Sequence, residues 1–183
     1  MNMKNFEIID GVYSGPEAWD GDLDLRDYKD TLTSLGSLTE VRGGLVLKGC
    51  TSLVSLGSLK EVGGWTYLED CTSLISLGSL TKVEGSLYLT GCTNIVSTGV
   101  LKEVLGWLSL EGCTSLTSLG GSLTKVGSCL WLGGKKIPLQ EVQEKISYYS
   151  SLPLHEVMNA LHMYEVQSVP LYKNILLQTL QGG

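Results

Sequence analysis

The stretch that decides the fold runs from Cys50 to Val126: CTSLVSLGSLKEV at 50–62, CTSLISLGSLTKV at 71–83, CTNIVSTGVLKEV at 92–104 and CTSLTSLGGSLTKV at 113–126. Cys50, Cys71, Cys92 and Cys113 recur at one constant interval, and their neighbours repeat with them. Self-similarity at a fixed period of this length marks a solenoid, in which each unit buries its apolar face against the next. A continuous helix is excluded, because 23 glycines in 183 residues would interrupt it repeatedly.

Working outward from the cysteines, the period assigns each apolar residue to a column. Leu45/Leu47, Thr66/Leu68, Leu87/Leu89, Leu108/Leu110 and Leu130/Leu132 have the alternation of a short strand. Leu53, Leu74, Ile95 and Leu116 follow, then Leu56, Leu77, Thr98 and Leu119. Leu59, Leu80, Leu101 and Leu123 come next, and Val62, Val83, Val104 and Val126 close each coil. A degenerate earlier copy appears as Leu23/Leu25, Leu32, Leu35, Leu38 and Val41, with one inserted residue near Tyr28. A second insertion falls at Gly120-Gly121, so the chain encodes about five coils plus a final strand. Gly57, Gly78 and Gly99 stack at one corner, where a positive φ or a close backbone approach is expected.

The segment LYLTGCTNI (Leu87 to Ile95) resembles the core motif of the leucine-rich repeat in its cysteine-containing form, and the resemblance covers Asp22 to Gly133. It implies short L-x-L strands forming a parallel sheet on one face, and a Cys serving the backbone inside each turn. It also implies a partner held on the strand face. Two departures stand out. The family's upstream leucine falls on Glu84, with Val83 one position earlier, and SLGSLTKV is too short and Gly/Ser-rich for a helix. Turns or short extended pieces are therefore expected on the far side. Repeats of this kind are also similar to those of bacterial and phage repeat proteins.

The expected fold is thus a mainly β solenoid with a small α-helical C-terminal cap. Residues 1–21 are expected to cap the first coil with Phe6, Ile8, Ile9, Val12 and Trp19, because an open sheet end invites aggregation. The solenoid proper spans 22–134. After Gly133-Gly134 the period stops, and IPLQEVQEKISYYSS, LPLHEVMNALHMYEV and PLYKNILLQTLQ predict three helices within 135–183, with Pro138 in a first turn.

A net charge of −6 with no block of Lys and Arg disfavours nucleic acid and anionic lipid as partners. No apolar run is long enough for a signal peptide or a bilayer span, so a cytoplasmic protein with reduced thiols is expected. Sulfurs stacked about 4.8 Å apart along an axis do not converge on one zinc, and there is no C-x-x-C pair. His155 and His162 lack a third ligand or a nucleophile beside them. Asp20, Asp22, Asp24, Asp27 and Asp30 lack the closing ligand of a calcium loop. The terminal Leu180-Gln181-Gly182-Gly183 reads as a frayed end. No cofactor, metal or enzyme activity is expected.

The chemistry that stands out is aromatic. Side chains alternate along a strand, so the residues between and before the leucines face outward. Those positions hold Trp65/Tyr67, Tyr88, Trp107 and Trp131, with Glu69, Thr90 and Glu111 beside them. Aromatic residues also stabilise sheets through cross-strand pairs. An exposed cluster of them nevertheless fits an interface better, since Trp and Tyr are enriched at binding hot spots. The expectation is a non-catalytic protein-binding scaffold, of which a bacterial or phage inhibitor or adaptor is one form. The alternative is a carbohydrate-binding module stacking sugars on the same rings. Self-association through this face is a further expectation, to be tested by light scattering.

Overall fold

The computed structural model describes residues 6–116, 122–132 and 135–138, and they form a parallel-strand β-solenoid of about five turns. The repeat is about 21 residues. The L-x-L segments pair in parallel, with Leu23, Leu45, Thr66, Leu87, Leu108 and Leu130 in one register column. The three middle steps of this column keep the interval of the cysteines, and the first and last are longer by one residue. The extra residue of the first coil is taken up by a 3-10 turn at Arg26–Tyr28.

A second parallel sheet lies on another side of the coil. It runs through Ala18–Trp19, Glu40–Val41, Glu61–Val62, Lys82–Val83, Glu103–Val104 and Lys125–Val126. The valine that closes each repeat is thus a strand residue, and in the last five of these strands it points inward while a charged neighbour points out. A third line of contact is made by single bridges, Ser34↔Ser55↔Ser76↔Ser97, beginning from Val12. The expectation of short extended pieces in place of helices on the far side is met, because a coil this short can satisfy its backbone only by pairing with the coil above and below.

Two corners depend on glycine. At Gly57 and Gly78 φ is +61 and +60, and the amide of each donates to the hydroxyl of Ser55 or Ser76 two residues earlier. At Gly85 the requirement is closeness: a Cβ there would sit 2.6 Å from the backbone carbon of Gly64 in the preceding coil. Gly43, Gly64 and Gly106 occupy the same position in the turns of their own coils, so one column of the edge between the two sheets is glycine throughout these coils.

The interior is a stack of leucine columns. Leu45, Leu47, Leu53, Leu56, Leu59 and Val62 of one coil are fully buried, as are Leu68, Leu74, Leu80 and Val83 of the next. Cys50, Cys71, Cys92 and Cys113 are free and buried among them. The thiols of Cys71, Cys92 and Cys113 donate to the carbonyls of Leu47, Leu68 and Leu89, at 3.1, 3.0 and 3.1 Å. Each such bond ties a turn to the coil before it.

One column carries a defect. Thr66 stands where neighbouring coils have Leu45 and Leu87, is fully buried, and its Oγ1 has no hydrogen-bond partner. An unsatisfied buried hydroxyl costs about 1–3 kcal/mol. Thr66→Val keeps the shape and removes the hydroxyl, so it raises the unfolding free energy by about 1 kcal/mol or more. A urea titration in which the Thr66→Val midpoint falls would show that the hydroxyl is satisfied.

At the N-terminal end an antiparallel hairpin, Glu7–Ile9 with Val12–Ser14, turns through Asp10 and Gly11 at φ +49 and +80. Positive φ at both central residues is the turn geometry that matches strand twist. Phe6 stacks on Tyr13 at 5.4 Å and meets the edges of Trp19 and Tyr28 at 5.5 and 6.0 Å. Phe6 and Tyr13 are buried and Ile8 packs against the core, whereas Ile9 and Val12 are exposed beside the turn. Alternation explains the correction: if Ile8 faces the coil, Ile9 cannot.

At the other end Lys135–Pro138 is a strand antiparallel to Cys129–Leu132, with Leu130↔Ile137 and Trp131↔Lys136 paired. The expectation that the helical cap begins at 135 is corrected over these residues. The last coil's open edge is occupied by paired backbone, and Pro138 is tolerated at the end of an edge strand. The three expected helices, with His155 and His162, otherwise lie outside the described residues. No helix among the described residues is long and apolar enough to cross a membrane.

Candidate partner-binding face

The columns proposed from the sequence are present on the first sheet, carried by backbone bonds beyond the two-residue strands. Leu45, Leu47 and Gly49 donate to the carbonyls of Trp65, Tyr67 and Glu69. Thr66, Leu68 and Asp70 donate to Ser86, Tyr88 and Thr90, and Leu87, Leu89 and Gly91 donate to Trp107, Ser109 and Glu111. Three rows therefore run along the axis: Trp65, Ser86 and Trp107; Tyr67, Tyr88 and Ser109; Glu69, Thr90 and Glu111.

Trp65 is 58% exposed and Trp107 is 44% exposed. They lie two coils apart, roughly 10 Å at the spacing of neighbouring strands. Ser86 between them is buried, although its backbone position faces outward. Its hydroxyl accepts the amide of Trp107 at 3.0 Å. Ser109 is also buried, and it shares a hydrogen bond of 2.9 Å with Thr90. A small residue set among large ones on a sheet is covered by them, which alternation alone does not reveal.

Tyr67 and Tyr88 stack with centroids 5.1 Å apart and planes 5° from parallel. At this separation and angle the two rings form an offset stack. Glu69 follows Tyr67 on the same face. It is mostly buried, with Oε1 3.8 Å from Lys48 Nζ and Oε2 without a hydrogen-bond partner. Glu111 is exposed. Trp131 continues the tyrosine row by backbone register with Ser109, and its side chain is outside the described set.

No protein family, curated protein or solved structure matches this chain. The second sheet presents Glu40, Glu61, Lys82, Glu103 and Lys125 in register, with Lys82 bonded to Glu84 at 2.7 Å. It is a solvated charged face. Along the serine line, Val54, Ile75 and Val96 form an exposed aliphatic strip that was not singled out from the sequence. Their recurrence at the interval of the cysteines was the available signal.

The acidic residues of the first coil are spread out. Asp24 pairs with Arg26 at 2.6 Å, Asp20 pairs with Arg42, and Asp22 accepts the Gly44 amide at 2.6 Å. Among the described residues no group of three or more His, Cys, Asp or Glu could hold a metal ion. Cys50, Cys71 and Cys92 have no exposed surface, and Cys113 is buried with a small remainder of surface. Burial pushes Cys50 up to about 12 and Cys113 up to about 11, and contact with Cys71 together with burial raises Cys92.

Proposed function

We propose that this chain is a leucine-rich-repeat-like, non-catalytic scaffold that binds another protein through the face bearing Trp65, Tyr67, Tyr88 and Trp107. The observation that carries the reading is the exposure of two indoles on one rigid sheet, 58% for Trp65 and 44% for Trp107. Large aromatic groups left in water are costly for solubility, and held on a rigid surface they lose little entropy on being covered. The resemblance of LYLTGCTNI to the leucine-rich repeat supports the same use of the strand face. Trp131 extends the surface by register, and Glu69 and Glu111 flank it.

Carbohydrate binding is the weaker reading. A sugar needs the flat of a ring, and the tyrosine pair uses one face of each ring in its own stack.

The test is a quantitative pull-down of the whole chain against lysate of its source cell, comparing wild type with Trp65→Ala/Trp107→Ala. Both proteins should show the same circular dichroism and urea midpoint, since the substituted side chains are exposed. The expected result is loss of one captured protein by about a hundredfold, as for removal of two hot-spot residues. Capture undiminished in the double variant would remove the face as the site.

A further inference from the structure

The aromatic row and the acidic row lie parallel on the same three coils, with the tyrosine stack between them. Trp65 and Glu69 are four residues apart along one extended segment, roughly 13 Å, and Trp107 and Glu111 repeat the arrangement two coils on. Across these three coils the outward positions are Trp65, Tyr67, Glu69, Ser86, Tyr88, Thr90, Trp107, Ser109 and Glu111, with no Lys or Arg among them. On the same sheet, cations flank these coils at both ends: Arg26 and Lys48 on the earlier coils, and Lys136 two strands beyond Ser109 by backbone register. Arg26 is bonded to Asp24 at 2.6 Å, and Lys48 reaches only one oxygen of Glu69, at 3.8 Å. The other oxygen of Glu69 is buried and unpartnered.

We propose, on the strength of the protein-binding reading above, that the segment taken up by this face is basic, presenting arginine or lysine side chains of a protein partner across the coils from Trp65 to Glu111. Three physical facts converge on that occupant. Indole faces attract cations, most strongly when water is excluded. A wholly apolar partner would cover both carboxylates, desolvating Glu111 and leaving Glu69 with only the 3.8 Å contact of Lys48 to one oxygen. An acidic partner would meet two like charges on the face and a net charge of −6 behind them. Arginine fits best, because a guanidinium stacks on an aromatic face and also donates in parallel to a carboxylate.

The experiment uses the full chain and a library of random dodecapeptides displayed on phage. Selection on wild type is followed by removal of every clone that also binds Trp65→Ala/Trp107→Ala. Affinities of the surviving peptides are then measured against wild type and against Glu69→Gln/Glu111→Gln, which preserves shape. All variants are first checked for an unchanged urea midpoint. The expected result is enrichment of Arg and Lys among the survivors, with affinity about tenfold weaker or more for Glu69→Gln/Glu111→Gln and falling as salt is raised. Survivors without basic residues, or indifferent to the glutamine variant, would overturn the charge assignment and leave the protein-binding reading standing. Basic peptides that bind wild type and the tryptophan variant alike would overturn it too, by tracing the attraction to net charge. If no peptide depends on the tryptophans, both readings fall together.

Discussion

Leu89→Ala is expected to lower the unfolding free energy by about 2–5 kcal/mol, the range for removing a buried leucine and leaving a cavity. Leu89 is fully buried in the L-x-L column. Its amide donates to Ser109 at 2.9 Å, and its carbonyl receives the Cys113 thiol at 3.1 Å. The backbone around it is therefore held by the coil after it, which limits how far the cavity can collapse. The lost energy is a large share of the roughly 5–15 kcal/mol that an ordinary domain has in total. A urea titration should show the midpoint falling with the slope unchanged. Tyr88→Ala, one residue earlier and facing out, should cost only about 0.5–1.5 kcal/mol, the value of a stacked aromatic pair. If the two substitutions cost the same, or if Leu89→Ala costs well under about 1 kcal/mol, the inward and outward columns have been exchanged.

The second large effect is expected in alkali. Cys50 and Cys113 are raised to about 12 and about 11 from an ordinary value of 9.0, and Cys92 is raised too. When folded they keep their protons above pH 9, and when unfolded they release them. Unfolding then loses protons, so stability is fully present below about pH 9 and declines as pH rises toward the folded values. The limiting slope is about 1.4 kcal/mol per pH unit for each such thiol and is reached only above pH 9, so three together remove about 3 kcal/mol between pH 9 and 10. Tyr13, also raised by burial, acts in the same direction at higher pH. Urea midpoints measured under reducing conditions from pH 7 to 10.5 should be level and then fall steeply. Cys113→Ala, at the less buried end of the ladder, should make the fall about one third shallower. A midpoint unchanged at pH 10 would mean that the thiols reach water in the folded state.

What could be read in advance followed from what the period constrains. A column such as Leu53, Leu74, Ile95 and Leu116 is visible because each member is buried by the members above and below, so chemistry repeats with the coil. The outward direction of Trp65, Tyr67 and Tyr88 followed from alternation alone. Cover was less legible. Ser86 and Ser109 occupy outward positions and are buried by larger neighbours, which depends on rotamers and not on register. The orphaned oxygen of Glu69 and the unsatisfied hydroxyl of Thr66 are likewise facts of packing. The second sheet was legible only as a column of closing valines, because two-residue strands are too short to display a period. The N-terminal hairpin carried a recognisable Asp10-Gly11 signal between extended residues. At Lys135–Pro138 the helical pattern of the following sequence was extended too far back, whereas the unpaired edge of the last coil draws those residues into a strand.

The separation of register partners, one repeat length or one residue more at every coil from Leu23 to Leu130, bears on how the chain finds this structure. Parallel sheets usually fold slowly because their strands are distant in sequence, yet here no strand of the first or second sheet need wait for a partner further away than one coil. Lengthening the solenoid would add pairings of the same range, so mean loop-closure entropy per contact would stay constant as the molecule grew. Removing residues 66–86, one coil in length, would join Trp65 to Leu87 in the same frame and leave every remaining closure as local as before. The kinetic difficulty of a parallel sheet is in this way divided into equal, short steps that any coil can begin.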